Sequence, residues 1–425
     1  MRSQTVAESR LEEGMRMERE GRLDEALHCY DAAIALAPDL ARAHFNRGNI
    51  LLDRGDAFEA LPSYRKAIEL KPDSATAHYN LGNAYLQLGN LQDSVTALRT
   101  AITLKPDFLD AHITLGLIHG KLGHEREAQL SFSNATRINA DSAEIYCRVA
   151  SCWLEAGFEQ FAIHNVQRAL SLQPDMVDAL RLWGLACQRL KHTEDAIEYF
   201  RRGLSMQPDN AELLNHLGTA FRDSGRHDTA IDCYRRALAI NPDLPVAHYN
   251  LGESLQSLGQ SEDAISCYQR CLALGQSHYD VYISLAAALR DLGRDNEALT
   301  RFEQAIALQP DNPAGYIHRG VTLAMLGRLQ EAQEDYQRAL LLQPDNADAQ
   351  LSMGVVLKDL GDVSNALTYV QRALEIQSDY VLAHNNLLFI QNYLAEQSGE
   401  QLLADARRFG EVAARLAKPY TDWPN

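Results

Sequence analysis

Two consecutive stretches of the chain decide its fold. Residues 41–74 read ARAHFNRGNILLDRGDAFEALPSYRKAIELKPDS, and residues 75–108 read ATAHYNLGNAYLQLGNLQDSVTALRTAITLKPDF. Aligned without a gap, both have Ala-His at positions 3 and 4, Asn at position 6, Gly-Asn at positions 8 and 9 and Lys-Pro-Asp at positions 31 to 33. Self-similarity at a fixed period of about 20–50 residues indicates a repeat architecture.

The 34-residue period continues well beyond these two stretches. It runs from Ala7 to Tyr380 without insertion or deletion, which gives eleven repeats starting at residues 7, 41, 75, 109, 143, 177, 211, 245, 279, 313 and 347. Proline occupies position 32 in eight of them: Pro38, Pro72, Pro106, Pro174, Pro208, Pro242, Pro310 and Pro344. Because proline cannot continue a helix, this column marks the boundary between repeats.

Small and large residues alternate in register inside each repeat. Position 8 is Gly in nine repeats, and position 20 is Ala in ten. Small residues allow two helices to approach within about 8–10 Å, so these columns predict a crossing of helix A on helix B. Aromatic residues at position 24 supply the bulk between them, and Gly at position 15 of ten repeats predicts the end of helix A. Lys191 is the exception at position 15.

These columns resemble the tetratricopeptide repeat (TPR) family. The resemblance covers residues 7–380 and implies an all-α fold, a right-handed superhelical solenoid of eleven helix-turn-helix repeats with the A helices lining a concave groove. Around the repeats we expect an N-terminal tail at 1–6, C-terminal capping helices at 381–418 and a tail at 419–425. Repeat arrays grow along one axis, each unit burying its apolar face against its neighbours.

Composition excludes several classes of partner. The chain has 40 Lys and Arg against 57 Asp and Glu, a net charge of −17, and no Lys/Arg run that would attract nucleic acid or an anionic membrane. No stretch reaches the roughly 18–20 apolar residues that a membrane helix needs, and the N-terminus lacks the apolar core of a signal peptide. Seven cysteines without a CxxC pair predict free thiols and a cytoplasmic protein.

No residue set in the sequence predicts catalysis, a metal or a cofactor. Histidine occurs at position 4 of four repeats, where other repeats have Tyr or Leu, and a catalytic or metal-binding histidine would not be interchangeable with leucine. Cys267 and Cys271 lie one helical turn apart, but position 27 requires a small residue, and buried cysteine behaves as a small hydrophobe. We therefore expect no enzymatic activity in this chain.

Asparagines on the A helices form the candidate binding site. A carboxamide both donates and accepts, so it can pair with the backbone amide of an extended peptide whatever the sequence of that peptide. Aromatic residues at position 5 would add flat surfaces for the side chains of the peptide. The predicted groove residues are Asn46, Asn49, Asn80, Asn83, Asn250, Phe45, Tyr79 and Tyr249. The alternative is that asparagine merely suits a polar helix face.

Two segments also resemble bacterial protein O-GlcNAc transferases. One is Ala43-His44-Phe45-Asn46-Arg47-Gly48-Asn49 with its copy at 77–83, and the other is His384-Asn385-Asn386-Leu387-Leu388-Phe389 followed by Arg407-Arg408-Phe409-Gly410-Glu411. In that family an asparagine ladder grips the backbone of the acceptor protein, and a glycosyltransferase domain follows the repeats. No catalytic residue of such a domain is present in this sequence.

The sequence thus favours a non-enzymatic scaffold that binds a protein or an extended peptide in its groove. The alternative is the acceptor-recognition region of an O-GlcNAc transferase-like enzyme without its catalytic domain. A third possibility is self-association. Neither a nucleic acid nor a membrane is expected as a partner.

Overall fold

The computed structural model describes residues 2–393 and 398–416, and every regular element in these ranges is an α-helix. The chain divides into two compact units, Met1–Pro208 and Asp209–Asn425. The prediction of an all-α protein made of paired helices is confirmed. No helix in the described ranges is long and apolar enough to cross a membrane.

The first unit contains the A and B helices of six repeats. Its helices are α1 (Arg2–Arg19), α2 (Leu23–Leu36), α3 (Ala41–Asp53), α4 (Ala57–Leu70), α5 (Ala75–Gln87), α6 (Leu91–Leu104), α7 (Leu109–Lys121), α8 (Glu125–Ile138), α9 (Ala143–Glu155), α10 (Glu159–Leu172), α11 (Val177–Arg189) and α12 (Thr193–Met206).

The second unit contains the remaining five repeats and two further helices. Its helices are α13 (Ala211–Asp223), α14 (His227–Ile240), α15 (Pro245–Ser257), α16 (Ser261–Ala273), α17 (Tyr279–Asp291), α18 (Asp295–Leu308), α19 (Pro313–Met325), α20 (Leu329–Leu342), α21 (Ala347–Asp359), α22 (Val363–Ile376), α23 (Val381–Gln391) and α24 (Gly399–Leu416).

The turn between helix A and helix B is three residues long, with position 15 in its middle. At this position Gly55 has φ +87°, and its N–H donates to the carbonyl of Leu52 at 3.0 Å. Such left-handed residues end helices because they redirect the chain while satisfying the last carbonyl groups. Lys191, the one exception in the column, takes the same conformation with φ +63°. Backbone geometry therefore explains the glycine column that the sequence displays.

The core of each repeat lies where position 8 meets position 24. Gly48 lies against the fully buried ring of Tyr64, and a Cβ atom on Gly48 would stand 2.8 Å from Tyr64 Cε1. Gly252 has the same relation to Tyr268, at 2.5 Å. Hence the two columns are complementary, the glycine making room for the aromatic ring of the following B helix.

Side chains at position 4 close the turns between repeats. His44 Nε2 donates to the carbonyl oxygen of Pro38 at 2.9 Å, and Tyr316 donates its hydroxyl to the carbonyl of Pro310 at 3.1 Å. Gln350 makes the equivalent bond at 2.9 Å. These contacts give the histidine column a structural role, and they explain why Tyr and Gln replace His there.

The ends of the chain differ in part from the expected boundaries. Helix α1 begins at Arg2, so residues 2–6, assigned to a tail from the sequence, are helical. Helix α24 packs on α23, with Gln391 Nε2 donating to Asp405 at 2.7 Å, and Ser398 Oγ caps it by accepting from Gln401 N at 3.2 Å. Residues 394–397 and 417–425, which include the predicted tail at 419–425, lie outside the described residues.

Candidate functional site

The predicted binding residues of the first unit lie on α3 and α5, the A helices of the second and third repeats. Asn46 and Asn49 stand at positions 6 and 9 of α3, and Asn80 and Asn83 stand at the same positions of α5. Residues three apart on a helix share a face. All four side chains are half-buried, and we call this set the asparagine face.

Asn49 is the centre of a hydrogen-bond network between the two repeats. Its Oδ1 accepts from the hydroxyl of Tyr64 at 3.0 Å and from Nδ2 of Asn80 at 2.8 Å. Burial raises the pKa of Tyr64 well above its ordinary value, so the hydroxyl stays protonated and acts as the donor. One oxygen atom thus connects α3 with α4 and with α5.

Asn46 takes part in a corresponding contact one repeat earlier. Its Nδ2 donates to the hydroxyl oxygen of Tyr30 at 3.5 Å, and that hydroxyl donates to Glu18 at 2.5 Å. Burial, and after it the bond to Glu18, raises the pKa of Tyr30 above its ordinary range. Asn46 therefore makes a separate contact of the same kind, through a longer bond than the one that Asn80 makes.

Each of these carboxamides leaves one side open. Within the part of the chain that the structure describes, Asn46 Oδ1, Asn49 Nδ2 and Asn80 Oδ1 make no hydrogen bond, and Asn83 makes none through either atom. The internal bonds fix the orientation of three side chains while their complementary groups remain available. This arrangement can both donate to and accept from a ligand.

Aromatic residues flank the asparagine face. Phe45 packs edge-on against Tyr64 with ring centroids 6.1 Å apart, and Tyr79 lies 4.9 Å from Phe108 with the rings tilted by 44°. Phe45 and Tyr79 are both half-buried. Each ring therefore belongs partly to the packing and partly to the surface.

A small cavity of about 110 Å³ lies beside Phe45. It is lined also by Arg42, Lys71 and Ser74, where α3, α4 and the start of α5 meet, and none of its lining residues is acidic. Arg42 and Lys71 are the two charged residues of this cavity, and both are cations.

Asn250, the predicted site residue of the second unit, has a different environment. It is only 8% exposed, its Nδ2 donates to Asn215 Oδ1 at 3.0 Å, and its Oδ1 accepts from Arg222 at 3.2 Å. A second, longer contact joins its Nδ2 to Thr219 at 3.4 Å. Both ends of this carboxamide are engaged, so Asn250 contributes to packing between repeats and offers little to a ligand.

The repeat that contains Asn250 has a network of the same plan but a different composition, which extends to Ser284 of the next repeat. The Tyr268 hydroxyl donates to Glu253 Oε1 at 3.2 Å, and Ser284 donates to the same oxygen at 2.7 Å. Tyr249, the third predicted aromatic residue, lies 5.9 Å from the Tyr268 ring with its hydroxyl 3.5 Å from Ser284. Tyr249 is half-buried.

Position 24 of one repeat thus pairs with position 6 of the next. Every tyrosine at position 24 precedes an Asn or Ser: Tyr30 and Asn46, Tyr64 and Asn80, Tyr234 and Asn250, Tyr268 and Ser284, Tyr336 and Ser352. Every phenylalanine there precedes an Arg or His: Phe132 and Arg148, Phe200 and His216, Phe302 and His318. Neither column shows this pairing alone, but a comparison of the two columns across the repeat boundary reveals it.

Cysteine and histidine are also residue types that can serve as metal ligands. Among the described residues, no group of three or more His, Cys, Asp or Glu is placed to hold a metal ion. Burial raises the pKa of Cys267 to about 11, and Cys271 is buried.

Comparison with known families agrees with the repeat fold. Residues 218–259 match the family model described as TPR repeat, and residues 243–311, 289–340 and 320–381 match models described as Tetratricopeptide repeat. The chain is a tetratricopeptide repeat protein. Residues 2–212 of this TPR protein match the model of the Cilia and flagella-associated protein 70 C-terminal domain.

Solved TPR structures resemble the protein at low sequence identity. YrrB, described as a TPR protein with an unusual peptide-binding site, is 22% identical over 45% of this chain and 98% of its own, with a TM-score of 0.39. Cut9 in its complex with Hcn1 is 14% identical over 89% and 95% (TM-score 0.46), and yeast Tom70 is 15% identical over 97% and 96% (TM-score 0.42).

No curated protein sequence matches the chain significantly. These findings give no support to the resemblance to O-GlcNAc transferases, which stays a hypothesis.

Proposed function

We propose that this TPR protein is a non-enzymatic scaffold that binds an extended peptide of a partner protein along the asparagine face. The proposal rests on one observation: in three of the carboxamides, one polar atom makes an internal hydrogen bond and the other makes none within the described residues. Internal bonds orient Asn46, Asn49 and Asn80, while one polar group of each stays open, and preoriented groups lose less entropy when a ligand binds. Phe45 and Tyr79 offer ring surfaces beside them.

Asn83 provides the sharpest test of this proposal. Because its side chain makes no hydrogen bond within the described residues, Asn83→Ala removes groups available to a ligand without breaking an internal contact. Asn80→Ala is a poorer probe, since it also removes the 2.8 Å bond to Asn49 and lowers stability.

The experiment selects 12-residue peptides from a displayed random library on the whole chain and measures their affinity by fluorescence polarisation. Two lost hydrogen bonds of about 0.5–1.5 kcal/mol each predict a loss of at least about fivefold for Asn83→Ala. Gln92→Ala, which removes an exposed carboxamide from α6 of the same repeat, is the matched control and should not change affinity. Equal affinity of wild type and Asn83→Ala for every selected peptide would refute binding at this face.

The alternative function is acceptor recognition for an O-GlcNAc transferase-like enzyme. It would use the same asparagine face, but it requires a catalytic domain in addition to this chain. It predicts that the chain, fused to the catalytic domain of such an enzyme, raises sugar transfer to acceptor proteins, and that Asn83→Ala reduces the gain. A fusion that transfers sugar no better than the catalytic domain alone would exclude it. Self-association, the third possibility, predicts a mass that rises with protein concentration in light scattering.

We further propose a reducing, cytoplasmic location and partners other than nucleic acid or membrane. All seven cysteines are free, and burial raises the pKa of the Cys147 thiol to about 12, which keeps it protonated. The net charge of −17 supports the exclusion of nucleic acid, because phosphate groups would be repelled by the chain as a whole.

A further inference from the structure

A cavity of about 550 Å³ opens between the B helices α8 and α10, above the A helix α9. We call it the α8–α10 cavity. Its twelve lining residues include four aromatic side chains and one arginine, but no carboxylate. Its volume lies within the range of about 300–1,000 Å³ that is typical of ligand pockets.

An aromatic cluster forms the floor of the α8–α10 cavity. The buried Trp153 ring lies 4.7 Å from Phe132 on one side and 4.7 Å from Phe161 on the other, and it stacks on Phe161 with an interplanar angle of 23°. Phe161 is half-buried, so part of its ring borders the cavity. Aromatic clusters of this kind accept a further ring through edge or face contacts worth about 0.5–1.5 kcal/mol beyond the buried area.

Phe161 departs from its column. It stands at position 19, which is acidic in eight of the other ten repeats: Glu25, Glu59, Asp93, Glu127, Asp195, Asp263, Glu297 and Glu331. Equivalent cavities between other pairs of B helices keep this carboxylate, with Glu127 lining the one between α6 and α8 and Glu331 lining the one between α18 and α20. In the α8–α10 cavity an aromatic ring has replaced the negative charge.

Arg168, at the rim, differs from two of the other arginines in its column. At the same position 26, Arg270 pairs with Asp243 at 2.8 Å and Arg372 pairs with Asp345 at 2.7 Å, each aspartate coming from the preceding turn. Arg168 is exposed, forms no ion pair with any carboxylate of the described residues, and lies over the ring of Tyr146 at 6.0 Å. Its positive charge is therefore free to attract an anionic group in a chain that is otherwise acidic.

We propose that the α8–α10 cavity is a second binding site, which takes an aromatic side chain of a partner protein together with an adjacent acidic residue. The ring packs on Phe161 and Trp153, and the carboxylate accepts charge-assisted hydrogen bonds from Arg168. The site is formed by α8, α9 and α10 and shares no residue with the asparagine face.

The test uses the whole chain and short synthetic peptides. The probe is acetyl-Gly-Ser-Phe-Glu-Ser-Gly-amide, compared with the same peptide carrying Ala-Glu or Phe-Lys in place of Phe-Glu, and binding is measured by saturation-transfer NMR on the peptide protons. We expect the Phe-Glu peptide to bind at least fivefold more tightly than either of the others. Equal binding of the three peptides would overturn the proposal.

Variants then locate the binding. Phe161→Glu restores the residue type that most repeats carry at position 19, and Arg168→Gln alters an exposed side chain, so each is expected to fold and to weaken binding at least fivefold. Arg202→Gln changes the same position of the next repeat and should bind as wild type. Binding unchanged in both Phe161→Glu and Arg168→Gln would contradict the assignment. Asn83→Ala should leave this binding intact, which separates the site from the asparagine face.

Discussion

The hydrogen bonds at Asn49 permit a quantitative test of how neighbouring repeats hold together. Tyr64→Phe deletes one hydroxyl and leaves the fully buried ring in place, so its main effect is the loss of the 3.0 Å bond to Asn49. Asn80→Ala removes the second bond to the same oxygen, which is 2.8 Å long. A neutral hydrogen bond contributes about 1 kcal/mol net to stability, so each single variant should lose about that amount.

Removing both partners should cost more than the sum of the two single changes. In either single variant, Asn49 Oδ1 keeps one donor, and the remaining hydrogen bond can shorten. In the double variant the oxygen has no protein donor and can bond only to water. Contacting residues of one network commonly couple by about 0.5 kcal/mol or more. We therefore expect a total loss above about 2 kcal/mol.

Amide hydrogen exchange is the appropriate assay, because an array with nearest-neighbour energetics should loosen locally. A loss of about 1 kcal/mol corresponds to roughly fivefold faster exchange in the most protected amides of α4 and α5. Peptides from α9 and α10 serve as an internal reference and should exchange as in the wild type. Tyr146→Phe is the control, since that hydroxyl makes no hydrogen bond within the described residues.

Exchange in α4 and α5 that changes less than twofold in both single variants would show that the bonds to Asn49 do not hold the two repeats together. A double variant whose loss does not exceed the sum of the two single losses would refute the shared-acceptor geometry in particular. Uniformly faster exchange from α1 to α12 would contradict the expectation that the effect is local.

Three further predictions concern the turns, the core and pH. Lys191→Gly should stabilise the protein by about 1 kcal/mol in urea unfolding, because Lys191 has φ +63°, whereas Gly225→Ala at the same position should destabilise it by a similar amount. Gly48→Ala should cost about 1–3 kcal/mol, because the new Cβ would stand 2.8 Å from a Tyr64 ring atom, and an unchanged urea midpoint would contradict the packing described. Burial lowers the pKa of His318, so the folded protein binds fewer protons there than the unfolded chain, and stability should fall as the pH drops below about 6.5. His318→Phe should make the loss of stability at low pH smaller. An unchanged pH dependence of the free energy of unfolding would contradict the role of His318.

Most of the fold is predictable from the sequence, because local backbone requirements repeat in register. Gly55 and its equivalents are needed for a left-handed turn, and Gly48 for the ring that packs on it. Such requirements act within one repeat or between adjacent repeats. The aligned repeat positions of the sequence are therefore sufficient to predict the helix pairs. The start of α1 at Arg2 was missed because the period begins only at Ala7, while a helix can extend beyond the repeat that contains it.

The candidate site is less predictable, since the same residue type serves different purposes in different repeats. Asn80 and Asn250 occupy position 6 alike, yet Asn80 keeps an open oxygen, while Asn250 is buried and bonded at both ends. The difference depends on neighbours such as Arg222, which reaches Asn250 from another helix. A column of identical residues therefore does not predict equal accessibility.

The pairing of position 24 with position 6 of the following repeat affects how this protein can be cut and recombined. Tyr64, Asn49 and Asn80 span a boundary at residue 74, so removal of residues 75–108 as a block would leave Tyr64 facing Thr114 instead of an asparagine. The bond from His78 to the carbonyl of Pro72, at 3.1 Å, crosses the same boundary. A segment from position 7 of one repeat to position 6 of the next includes both contacts. When this array is transplanted or shortened, the segment from position 7 to position 6 should therefore be moved as one unit. A cut at the start of each helix pair, as the sequence period suggests, would separate these contacts.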